Sequence, residues 1–231
     1  MLALLNKGLD QLNSTISIQR HTNLENHFDR VFGAKYDSIL TCPICNNRSV
    51  TPEYQLSLQL APKVTPDDLI NLKASFASNF AEEYVEASCD KCGYKTEPSE
   101  KSKRFAKRTE IRKLPKFLII NLSRYKIGRF APKKIMNPVK LEEKLVLKEG
   151  DKDVIYLLRG VISHTGSQVR SGHYIAFINQ PDRTWAKCDD TRVTESNLDH
   201  IRLQQQTFQI YVLGTDSSVH PGFPSETLSP T

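Results

Sequence analysis

The spacing of apolar residues changes along the chain. Leu2, Leu5, Leu9 and Leu12 recur at helical intervals, which predicts an amphipathic helix over residues 1–13. Leu24, Phe28 and Val31 predict a second, short helix that stops at Gly33. In "QLSLQLAP", Leu56, Leu58 and Leu60 alternate with polar neighbours, as a half-buried strand requires. The stretch "TPDDLINLKASFASNF" from residue 65 carries helix-start signals. Thr65 suits the cap, Pro66 the first helical position, and Asp67 and Asp68 the positive end, with Leu69, Leu72, Phe76 and Phe80 as one stripe. From about residue 114 the pattern is β: "LPKFLIINLSRY", "VIYLLRGVISH", "GHYIAFIN", "RTWAKCDD" and "TFQIYVLG". The expected class is α+β, with helices early and antiparallel strands late. Residues 215–231, rich in Pro, Ser and Thr, predict a disordered tail.

At 231 residues, 39% hydrophobic and 25% charged, the chain has the make-up of one large globular domain or two small ones. Its longest apolar run, "FLIINL" (117–122), is far too short to span a membrane and fits a buried strand. The first residues carry neither a basic leader nor a small-residue cleavage site, so no secretory signal is expected. The five cysteines, an odd number, then read as reduced thiols inside the cell, in cytoplasm or nucleus. The net charge of +6 permits an acidic or nucleic-acid partner. The densest basic stretch, "KSKRFAKRTEIRK" (101–113), reads better as a solvated strand than as a phosphate groove, so nucleic acid is not the expected partner.

Two C-x-x-C pairs, Cys42/Cys45 and Cys89/Cys92, each offer two thiolates from a tight turn, and the four together suit tetrahedral Zn²⁺. Gly93 supplies backbone freedom just after the second pair. Residues 46 to 88, 43 positions, separate the pairs, whereas a compact zinc ribbon leaves about 15 to 20. An inserted strand and helix are therefore expected between two knuckles that meet in space.

In "SGHYIAFINQPDRTWAKCDD" two strand patterns flank a turn rich in Asn, Pro and Asp, which predicts a hairpin over 172–190. A hairpin symmetric about Pro181 sets His173 opposite Asp189 and Phe177 opposite Trp185. An imidazole facing a carboxylate is the base-and-orienter half of a catalytic triad. A bulge would put Asp190 in the place of Asp189. Cys188 alternates onto the other face and is not expected to meet His173. His164, at the end of the preceding strand, is expected to shape the loop that leads to His173.

The paired cysteines, "LPKFLIINLSRY", "HTGSQVRSGHYIAFI", "WAKCDDTRV" and "TFQIYVLG" stand in the order found in ubiquitin-specific proteases, which the chain resembles from about residue 24 to 214. These are cysteine deubiquitinases with a papain-like hand of fingers, palm and thumb. The resemblance implies residual thumb helices over 1–35, zinc-bearing fingers over 36–113 and a palm over 114–214, with most of the helical thumb missing. It makes His173 the general base, Asp189 its orienting acid and Asp190 a second acid. It places Gly172, Tyr174 and His164 along the substrate path by the loop 165–172. It makes Cys42, Cys45, Cys89 and Cys92 ligands of a structural Zn²⁺, and ubiquitin and ubiquitinated proteins the partners. The chain departs from the family in two ways. Cys188 stands where an aromatic usually precedes the aspartate, and the G-N-[ST]-C-[YF] box that carries the nucleophile is absent. The expectation is the C-terminal portion of a deubiquitinase whose thiol is not in these residues. The alternatives are an inactive ubiquitin-binding pseudoenzyme and, further off, a zinc-dependent nucleic-acid binder.

Overall fold

The computed structural model describes residues 27–97, 103–126, 132–167, 171–204 and 206–214. The helix expected over 1–13 and the tail 215–231 lie outside them. Helix α1 (His27–Phe32) ends at Gly33, as its sequence predicts, with the Gly33 amide donating to Asp29 O. Its Phe32 ring sits 5.6 Å from Phe117.

Two sheets carry most of the rest. The first has four antiparallel strands in the order β2-β1-β5-β4: β1 (Ala34–Thr41), β2 (Arg48–Gln55), β4 (Glu83–Val85) and β5 (Phe105–Lys113). The second has eight. Its path runs β13-β12-β11-β10-β14-β6-β3, with β9 (Lys144–Glu149) paired to one end of β10 (Lys152–Thr165). The other members are β3 (Leu58–Leu60), β6 (Phe117–Leu122), β11 (His173–Asn179), β12 (Trp185–Asp189), β13 (Arg192–Ser196) and β14 (Gln206–Leu213). The two short strands β7 (Tyr125–Lys126) and β8 (Lys133–Lys134) form a ribbon of their own. No helix among the described residues is long and apolar enough to cross a membrane.

Alternation decides which side chains face inward. Along β6, Leu118, Ile120 and Leu122 are buried while Phe117, Ile119 and Asn121 are half-buried. Leu58 and Leu60 pair in parallel with Ile120 and Leu122, so the "QLSLQL" alternation does mark a strand. One apolar core runs from Ala34 and Tyr36 on β1, through Leu60, Ile120 and Tyr211, to Phe177 and Trp185 beneath the hairpin. Each large apolar side chain fully buried there contributes roughly 1.5–3 kcal/mol. A second cluster is small: Cys42, Cys89 and Phe105, with Leu40, Val85 and Tyr94 around them.

The helix expected from residue 65 starts later. Thr65 and Asp68 close a tight turn instead: the Thr65 amide donates to Leu69 O, the Asp68 amide to Thr65 O, and Asp68 has φ +64°. Ile70 then bridges to Val64 and Val139. Helix α2 (Leu72–Asn79) begins only after Asn71, whose side chain accepts from the Ala74 amide. Thr65, Pro66, Asp67 and Asp68 thus serve a turn, and of the expected stripe Leu72 and Phe76 are the members within the helix.

From Phe105 to Lys113 the basic stretch forms β5, a strand as expected. Arg104, Lys107, Arg108 and Arg112 pair with Glu86, Glu83, Glu110 and Asp37, so much of its charge is answered within the sheet.

Candidate functional site

The two C-x-x-C pairs fold into twin turns. In the first, the Asn46 amide donates to Cys42 O and the Cys42 amide to Asn47 O; in the second, the Gly93 amide donates to Cys89 O and the Cys89 amide to Tyr94 O. Asn46 and Gly93 occupy the same place and share a positive φ, +55° and +72°. Gly takes that conformation freely, and Asn is among the few other residues that tolerate it. Between the turns lie β2, β3, α2 and β4, so the inserted strand and helix expected there are present.

The turns bring all four Sγ atoms within 4.8 Å of one another. Cys42 and Cys92 are 3.8 Å apart, and Cys45 and Cys89 3.7 Å. A tetrahedron of sulfurs each about 2.3 Å from one metal ion has edges of about 3.8 Å, so the donor set fits a bound Zn²⁺. Backbone amides of Cys92 and Lys91 bring the Cys89 thiol down to about 7. At Cys92 the Tyr94 amide pulls the thiol down, but burial and the neighbouring thiols outweigh it and push it up to about 12. Four crowded thiols resist losing all their protons without a cation, and a cation removes that resistance.

The hairpin places His173 and Asp189 together, though not in the register expected. Phe177 faces Lys187, Asn179 faces Trp185, and Ala176 faces Cys188. The turn is centred on Asp182 rather than Pro181: the Gln180 amide donates to Thr184 O, the Arg183 amide to Gln180 O, and Arg183 has φ +69°. Moving the centre by one residue moves the register by two. A shift of two keeps every side chain on its face, so His173 and Asp189 still share one as diagonal neighbours, within reach of long side chains. His173 Nε2 lies 2.5 Å from Asp189 Oδ1. Asp190 follows at φ +52° in the tight turn into β13, and its carboxylate joins the same group within 4.8 Å.

This bond assigns the ring's nitrogens. Nε2–H donates to the carboxylate, so in the neutral imidazole Nδ1 is left to accept a proton. The Asp189 hydrogen bond, opposed by modest desolvation and helped by the charges of Asp189 and Asp190, holds His173 above its usual range. The His173 bond, followed by one from Lys187, holds Asp189 below the usual carboxylate range. Cys188, opposite Ala176, lies on the other face of β12. None of the five cysteines is therefore placed to hand a thiol proton to His173.

The loop before His173 is anchored from behind. Lys134, on β8, donates to His164 O at 2.8 Å and Gly166 O at 2.5 Å and meets His164 Nδ1 at 2.9 Å. Burial and nearby Arg124 bring this lysine down to about 8. His164 is buried, with its ring centroid 4.5 Å from that of Tyr174. Burial first, then Lys134, lowers His164, which favours the neutral ring that accepts from the ammonium. His164 is thus packed between Lys134, Gly172 and Tyr174, out of reach of solvent, while half-buried Tyr174 stands beside His173. The contribution of Lys134 and Arg124 escaped sequence reading, because nothing in "RYKIGRFAPKK" marks two of its cations as buried.

Gly172 closes this neck. A Cβ there would run into His164 Nε2 and Thr165 O, and one at Gly166 would come 3.2 Å from Gly172 Cα. Gly172→Ala is expected to lower stability by about 1–3 kcal/mol and displace the His173 ring resonance. Urea denaturation with histidine NMR checks this, using Gly160→Ala, where the nearest contacts are an ordinary 3.6 Å, as the tolerated control.

The chain is similar to known proteins in sequence and in fold. Drosophila melanogaster ubiquitin carboxyl-terminal hydrolase nonstop is 28% identical over 187 residues, covering 75% of this chain and 36% of that protein. Ubiquitin carboxyl-terminal hydrolase 2 of Gallus gallus is 28% identical over 205 residues, covering 81% of this chain and 53% of its own length. The chain thus spans about half, or less, of these relatives. Among solved structures, a chain of the SAGA DUB module Ubp8/Sgf11/Sus1/Sgf73 bound to ubiquitin aldehyde superposes with a TM-score of 0.73 at 22% identity, over 92% of this chain and 49% of that one. The same module bound to monoubiquitin gives a TM-score of 0.72 at 24% identity, over 89% and 46%. The family profile for ubiquitin carboxyl-terminal hydrolase matches residues 1–213, taking in both the cysteine cluster and the His173–Asp189 pair, and the chain belongs to that family.

Proposed function

We propose that this chain supplies the proton-transfer half of a thiol-dependent deubiquitinase, which hydrolyses the bond after the C-terminal glycine of ubiquitin. The observation that carries the reading is the His173–Asp189 bond at the entrance of the hairpin, in a chain of the hydrolase family. In the reaction, a thiol from outside these 231 residues gives its proton to His173 Nδ1 and attacks the carbonyl. His173 returns the proton to the leaving amine, and Asp189 steadies the imidazolium. Gly172 and Tyr174 border the approach, and Asp190 adds negative charge beside the ring.

Zn²⁺ is the ion proposed for Cys42, Cys45, Cys89 and Cys92, with a structural role, since all four positions are thiols and none is left open for chemistry. Ubiquitin and ubiquitinated proteins are the proposed partners, and the free thiols fit a reducing compartment, cytoplasm or nucleus. A second reading has its own support. With no cysteine set against His173, the chain alone would bind ubiquitin without turning it over.

Two measurements test these readings. Labelled ubiquitin titrated into the chain should bind saturably at micromolar concentration, and absence of binding would remove both. The polypeptide read from the complete transcript should cleave a ubiquitin C-terminal fluorogenic amide, and His173→Ala should reduce kcat at least about 10³-fold. Binding with no cleavage by that longest product would leave the second reading alone.

A further inference from the structure

Asp189 has two oxygens, and the imidazole uses one. Oδ1 meets His173 Nε2 at 2.5 Å, while Oδ2 meets Lys187 Nζ at 2.9 Å. We propose that Lys187 is a positioning residue for the His173–Asp189 pair: it pins the second carboxylate oxygen and, as a fixed cation, limits how strongly Asp189 draws a proton onto the imidazole. The catalytic meaning of this rests on the deubiquitinase reading, whereas the geometry does not.

The strand pattern puts Lys187 where it can act. It lies two residues before Asp189 on β12, so both side chains project from one face. It stands in register with Phe177 on β11 and Thr194 on β13, which confine its stem on both sides. The side chain is only 26% exposed, and that of Asp189 32%, so the ammonium is held rather than waving in water. Among the described residues, the other groups that face the pair are few. Asp190 adds negative charge, Arg192 is the register partner of Asp189 with an exposed side chain, and uncharged Thr165 is the partner of His173. Buried His164 lies behind the loop. Among these, Lys187 is the cation bonded to the carboxylate that holds the ring.

Such a counterweight suits the chemistry. An imidazole that takes a proton from a thiol and returns it to an amine works best with its pKa near the working pH. A carboxylate answering to the imidazole alone would favour the imidazolium too strongly. A second cation on the same carboxylate offsets this, and the directions agree, since the Lys187 charge opposes the upward pull of Asp189 and Asp190 on His173. It also removes a freedom. With Oδ2 held, the carboxylate cannot swing about its Cβ–Cγ bond and offer the ring a poorer angle.

The test is a histidine NMR titration of the complete chain, which needs no thiol and no substrate. Lys187→Met should raise the His173 midpoint by roughly half a pH unit, the effect of one unit charge about 6 Å away in a largely aqueous setting. Lys187→Arg should restore it, and 0.5 M salt should shrink the difference. Trp185, the single tryptophan, reports by fluorescence whether the hairpin is intact, and Lys187→Gln serves as a second neutral variant should the methionine disturb it. An unchanged or lowered midpoint in an intact neutral variant would overturn the proposal. Asp189→Asn separates the two ideas. A His173 midpoint that falls in Asp189→Asn but ignores Lys187 removes the role of Lys187 alone. A Lys187 effect in a chain that never binds ubiquitin removes the deubiquitinase reading and leaves the geometry standing.

Discussion

Removing a metal held by the four-cysteine cluster is expected to unravel the cysteine end of the four-stranded sheet and leave the eight-stranded one folded. The reason is the size of the apolar cluster around it. Cys42, Cys89 and Phe105 are its buried members, and two of these three belong to the four thiols that could hold the ion. The ion pairs along β5 are exposed and add little, typically 0–1 kcal/mol each. A structural Zn²⁺ bound by thiolates contributes on the order of 10–16 kcal/mol in small zinc modules. That matches or exceeds the whole stability of an ordinary domain, about 5–15 kcal/mol, so the metal term outweighs everything else at this end of the molecule. Cys42→Ser with Cys89→Ser, or prolonged chelation, should erase amide protection in β4 and at the cysteine ends of β1, β2 and β5, while the Ala34–Tyr36 end of β1, seated in the large core, keeps it. Protection in β6, β10, β11 and β14, whose core includes Ile120, Tyr156, Phe177 and Tyr211, should persist. Hydrogen exchange read by mass spectrometry decides it. Uniform loss across both sheets, or none, would contradict the expectation.

Asp189→Asn is expected to have the second-largest effect, and on chemistry more than on folding. Asparagine is nearly isosteric and can still accept from Nε2–H, but it can equally present its NH₂ and leave the ring in the wrong tautomer. In any polypeptide that supplies the proposed thiol, kcat should fall by about 10³–10⁴ with KM little changed. The pH dependence follows from the directions already given. His173 is raised from its ordinary 6.5, so its share of the pair's stability is fully present below pH 6.5 and fades as pH rises through the raised value. Asp189 is lowered from 3.8, so its share is present above pH 3.8 and fades as pH falls through the lowered value. The pair is firmest between those ordinary values, and in Asp189→Asn the His173 midpoint should drop back and this window disappear. A midpoint that stays put would mean that the hydrogen bond is not formed in solution.

The sequence exposes the cysteine cluster almost completely. C-x-x-C is a local motif, and its two copies need only fold back to meet. The hairpin was equally legible in kind but not in register, since the centring residue depends on Arg183 adopting a positive φ, for which "QPDRT" carries no glycine as a marker. The pairing of His173 with Asp189 survived because an error of two positions preserves the face. The helix at residue 65 misled for a different reason. Thr65 and Asn71 are both competent caps, and the strand-like bridge of Ile70 to Val139, far away in sequence, together with the local one to Val64, selects the later cap. Lys134 was invisible for the same cause: its burial beside His164 is a tertiary outcome that its neighbours in sequence do not announce.

The placement of β3 gives the metal cluster a mechanical meaning. The chain enters one knuckle at Cys42, contributes Leu58–Leu60 to the far sheet beside β6, and comes out of the other knuckle at Cys92. A cation joining Cys42 to Cys92, 50 positions apart, therefore ties off a lasso whose middle is sewn into the other half of the molecule. A loaded molecule stretched from its ends would carry the force across the sulfurs and past the lasso. It would pay out about 180 Å less chain than the metal-free form, at roughly 3.6 Å per hidden residue, until the knot itself gave way.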